Sequence, residues 1–77
     1  MLIKVTWYEN EKVDTERIVD TIWDPEERDN YYHGTFKEYV LEDIEDEAPT
    51  MSLLSETETE FIFVKDEFKL TYELLEG

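Results

Sequence analysis

The chain has 77 residues, no cysteine, and 22 acidic against 7 basic side chains, for a net charge of −15. That size supports one small core, no disulfide or thiolate metal site can reinforce it, and so large a negative charge opposes contact with DNA, RNA or anionic lipid. High charge often signals disorder, but 40% hydrophobic and 14% aromatic content, periodically arranged, predicts a folded domain.

"LIKVTWYE" (2–9) alternates, with Ile3, Val5 and Trp7 on one face and Lys4, Thr6 and Tyr8 on the other. This period of two predicts a strand, followed by a turn at "NEK". The opening apolar stretch is too short and too soon charged for a signal peptide or membrane span, so a cytoplasmic setting is the default expectation. "VDTERIVDTIWDP" reads two ways. Asp14 could cap a helix with Ile18, Val19, Ile22 and Trp23 on one face, or the β-branched residues could form a strand over 16–23. The β-branched density favours the strand, ended by Pro25. Asp24-Pro25-Glu26-Glu27 could also begin a short helix, and "RDNYYHG" reads as loop.

"TFKEYVLEDIEDEAP" predicts the main helix, over 35–47. Thr35-x-x-Glu38 has the form of a capping box, and Phe36, Tyr39, Val40 and Ile44 fall on one stripe. "TMSLLS" reads as a connector able to pair weakly at a sheet edge. "ETEFIFVK" and "FKLTYELLE" predict a hairpin around Asp66-Glu67, with Phe63 opposite Leu70, Phe61 opposite Tyr72 and Glu60 opposite Glu73. The fold expected is therefore α+β: an antiparallel sheet of three to four strands packed against one main helix, in a single domain spanning 1–77. Ile3, Val5, Trp7, Phe36, Val40, Phe61, Phe63, Leu70, Tyr72 and Leu74 should form the core.

Enzyme chemistry has little support. His33 stands alone, Ser52 and Ser55 lack a nucleophile elbow, and Glu67-x-Lys69 is too short a fragment to indicate a nuclease. The carboxylate-rich "EDIEDEAP" and "DPEERDN" lack the spacing of a calcium loop, and there is no glycine-rich phosphate loop. No catalytic residue, metal site or cofactor is expected.

The acids themselves form the candidate site. "SETETEF" carries Glu56, Glu58 and Glu60 at alternate positions, which on one strand would place all three on the solvent face, about 6.6–6.8 Å apart. Lys4 or Lys69 could neutralise them. Glu42, Asp43, Glu45, Asp46 and Glu47 crowd the helix C-terminus, where the helix dipole makes acids unfavourable. These eight acids, with Tyr31 and Tyr32 as aromatic anchors, are the candidate contact set for the basic surface of a nucleic-acid-binding protein. The chain would then mimic a phosphate backbone, as an inhibitor of the kind phages and mobile elements carry, without itself touching nucleic acid or membrane. The alternative is a small accessory or oligomerisation module whose acids only confer solubility. A salt-adapted surface would explain the charge as well.

Overall fold

The structure, a computed structural model, describes residues 1–21 and 35–76. Strands β1 (Leu2–Glu9) and β2 (Lys12–Asp20) form a hairpin, helix α1 (Phe36–Glu47) follows, and β3 (Ser52–Glu56), β4 (Glu60–Lys65) and β5 (Phe68–Glu76) complete a meander. All five strands join one antiparallel sheet in the order β2-β1-β5-β4-β3. The α+β class holds, but five strands replace the expected three to four. The increase arises at the sheet's margins. Residues 12–20 add a strand at one edge, starting before the expected 16–23, so the helical alternative falls away there; Ile22 and Trp23 lie outside the described residues. "SLLSE" adds another at the opposite edge, so the connector expected to pair weakly there is a full edge strand.

The hairpin turns follow from loop length. Two residues, Asn10 and Glu11, join β1 to β2, and both have positive φ (51° and 67°), as a type I′ turn requires. The turn is thus tighter than "NEK", with Lys12 already in β2. Asp66-Glu67 joins β4 to β5 as expected, with positive φ at Asp66 only (54°), the sign pattern of a II′ turn. The Asn10 backbone N–H donates to the Glu67 carbonyl at 2.9 Å, tying the two tips together.

Helix α1 begins where the sequence places it. The Thr35 hydroxyl accepts from the Glu38 backbone N–H (3.2 Å) and also donates to Glu38 Oε1 (3.3 Å). Thr35 thereby satisfies one of the orphan donors of the first turn. At the other end the Ala48 N–H donates to the Ile44 carbonyl (2.9 Å), capping the acid-rich last turn.

The core lies between the helix and one sheet face. Ile3, Val5, Phe61, Phe63, Leu70 and Tyr72 from the sheet meet Phe36, Val40, Ile44 and Ala48, with Trp7 and Leu74 packed at the margin. The predicted β4–β5 register, with Phe61 across from Tyr72 and Phe63 across from Leu70, is observed and puts all four on that face. Edge-to-face contacts link Phe36 to Phe61 (5.5 Å between centroids) and Phe63 to Tyr72 (6.0 Å). Such pairs add roughly 0.5–1.5 kcal/mol each beyond area burial, a substantial gain for a core of this size. No helix among the described residues is long and apolar enough to cross a membrane.

Candidate functional site: an acidic helix face beside an open sheet edge

The eight candidate acids fall in three separate places. Glu42, Glu45, Asp46 and Glu47 are exposed on α1. With Val40 and Ile44 turned to the sheet, 3.6-residue geometry directs Glu38, Glu42, Glu45 and Asp46 outward as one ridge. Four residues of helix rise about 6 Å, so Glu38 to Asp46 spans roughly 12 Å of charge. The only base on the helix, Lys37, sits on a flank and not on this ridge, and the last turn has no base.

Asp43 belongs elsewhere. Half-buried under the helix flank, it accepts a hydrogen bond from the Tyr72 hydroxyl (2.5 Å) and pairs with Arg17 of β2 at 3.3 Å. Burial, then the hydrogen bond to a negative acceptor, pushes the Tyr72 hydroxyl well above the usual tyrosine range. Tyr39 is raised as well, chiefly by burial and then by Asp43, with Arg17 opposing. Asp43 therefore acts as a bolt between helix and sheet.

The Glu56, Glu58 and Glu60 trio does not share a strand face. The stretch is the β3–β4 turn: β3 ends at Glu56, β4 starts at Glu60, and residues 57–59 reverse the chain. Threonine chemistry makes the turn. The Thr57 N–H donates to the Glu60 carbonyl (2.8 Å), and the Thr59 N–H donates to the Thr57 hydroxyl (3.3 Å). Glu56 consequently lies opposite buried Phe61 on the helix side of the sheet, where Lys37 Nζ meets it at 3.1 Å. Glu60 lies on the other face, directly across from Glu73. Glu58 is exposed in the turn. Alternation alone misled here, because a tight turn between strands also places glutamates at every second residue.

Nor do the two expected lysines serve these glutamates: Lys4 pairs with Glu16 at 3.6 Å, and Lys69 Nζ stands 4.2 Å over the Tyr8 ring. Tyr31, Tyr32, His33 and the Asp24-Pro25 segment lie outside the described residues.

Two further features emerge from the structure. An open groove of about 530 Å³ runs between the α1 N-terminus and the β3–β4 turn, floored by Phe36 and Phe61 and rimmed by Lys37, Glu56 and Glu58. Leu41, Leu53 and Leu54 are 45%, 48% and 63% exposed. Leu41 follows Lys37 by one turn, on the helix flank whose lysine reaches Glu56 of β3. Among the described residues no three His, Cys, Asp or Glu side chains group as a metal site. Compared with family models, curated proteins and solved structures, the chain matches none.

Proposed function

We propose that this protein is a non-catalytic binding domain whose acidic helix face substitutes for a nucleic-acid backbone against a cationic protein surface. The observation that carries it is the ridge of Glu38, Glu42, Glu45 and Asp46, exposed at one-turn intervals with no base of the helix among them. Carboxylates repeating at helical pitch resemble successive phosphates in charge and in separation. A surface built to hold DNA or RNA would meet them with lysine and arginine, through fast, salt-sensitive association. The candidate set contracts accordingly: Glu42, Glu45, Asp46 and Glu47 remain contact residues, joined by Glu38, whereas Asp43 serves the fold.

The test is capture from cell extract at low salt on immobilised protein. A nucleic-acid-binding protein should be retained and then displaced by added DNA or RNA. The triple variant Glu42→Gln, Glu45→Gln, Asp46→Asn should retain much less. Capture indifferent to competing nucleic acid and to the triple variant would overturn the reading.

A further inference from the structure

Among the described residues the two edge strands of the sheet have no neighbour on their outer side, and they differ in character. β2 carries Lys12, Asp14, Glu16, Arg17 and Asp20, the charges that commonly protect an edge from pairing with another chain. β3, "SLLSE", carries no base and no proline, and every one of its residues is exposed. A register shift between Leu53 and Ser55 leaves Leu54 without a partner on β4. Leu53 and Leu54 are exposed along this edge. Helix α1, on the sheet face that Leu53 shares with Phe63, carries the acidic ridge, and Glu58 lies past the end of β3. The nearby lysines are engaged, Lys37 with Glu56 and Lys65 with the Thr50 hydroxyl at 2.9 Å.

We infer that β3 is a strand-addition site for an extended cationic segment of the partner, with alternating apolar and basic side chains. Backbone hydrogen bonds along β3 would supply the pairing, and the basic side chains on the helix face of the added strand would meet the acids of α1, leaving the alternate apolar ones on the opposite face. The charge selects this occupant. A second copy of a −15 chain would bring like charges to the same edge, whereas a lysine- or arginine-bearing strand meets complementary ones. The inference rests on the proposed cationic partner and adds where and in what conformation that partner docks.

The probe is a synthetic peptide of four Val-Lys repeats, prepared also in two isomeric forms. Each form is N-methylated at alternate residues, so that one or the other hydrogen-bonding edge is blocked. All three carry the same charge. Amides of residues 52–56 should become protected from hydrogen exchange when the unmodified peptide binds, while those of β2 should not. The two methylated forms should differ in affinity by about tenfold, because only one keeps the edge facing β3. Leu54→Ser should weaken binding, and Ile18→Ser on the opposite edge should not. Equal affinity of the methylated forms, or unchanged exchange at 52–56, would overturn strand addition. Loss of extract capture in the helix triple variant would still stand, so the two readings fail separately. A dimer of the purified protein that dissociates on Leu54→Ser would assign the edge to a second copy and overturn the inference too.

Discussion

The Tyr72 hydroxyl donates to Asp43 Oδ2 at 2.5 Å, joining the central strand β5 to the helix through an otherwise apolar interface. Tyr72 is wholly buried, and Asp43 also holds Arg17 of the edge strand β2. Three elements are therefore fastened at one carboxylate. Hydrogen bonds to charged groups contribute about 1.5–3 kcal/mol, a large share of the stability of so small a domain. Tyr72→Phe should reduce the unfolding free energy by that amount in urea denaturation. Asp43→Ala should cost more, since it strands both a buried hydroxyl and the arginine.

The same hydroxyl predicts loss of stability in alkali. Its pKa is raised in the folded protein, so the contribution is intact below the ordinary tyrosine value of 10.0. Above that pH the unfolded chain releases the proton first, and stability falls by about 1.4 kcal/mol per pH unit until the folded pKa is reached. Tyr39, raised in the same direction, adds to the slope. Denaturation midpoints measured from pH 8 to 11 should decline beyond pH 10, and the decline should be shallower in Tyr72→Phe.

Glu11 is a site for stabilisation. It sits at φ 67° in the two-residue β1–β2 loop, a region that disfavours any residue with a Cβ and suits glycine. Asn-Gly is the favoured pair for this turn, and Asn10 is already in place. Glu11→Gly should raise stability by about 1 kcal/mol, read as an upward shift in melting temperature. An equal or lower melting temperature would show that the turn is not held in this conformation.

Much of this architecture is legible in the sequence because hydrophobic period and register constrain each other. Phe61, Phe63, Leu70 and Tyr72 can share a face in only one pairing around Asp66-Glu67, and the helix declares itself through Thr35, Glu38 and the Phe36–Val40–Ile44 stripe. Edge strands are harder to read. β2 buries so little that its pattern reflects charge rather than a core, and β3 is too short for its alternation to register. The site was less legible still. Whether Glu56 and Glu60 share a face depends on whether residues 57–59 extend or turn, and threonine favours strand and local turn alike. The bond from Asp43 to Tyr72 joins residues 29 apart. Only tertiary packing could remove Asp43 from the acidic set.

The crowding of acids at the end of α1 separates stability from binding. Glu45, Asp46 and Glu47 occupy the last turn, where the carbonyl dipoles are negative and no base offsets them. Glu42 and Asp46 add a like-charged pair one turn apart. Replacing Asp46 by lysine should stabilise the domain by about 0.3–1 kcal/mol at low salt, and by less at 1 M salt, where screening reaches only about 3 Å. If the ridge meets a cationic partner, the same change should weaken capture by placing a like charge at the interface. A more stable protein that binds less well would mean these acids are held against the helix's own preference. A variant that gains stability and captures equally well would return them to the role of solubilising charge.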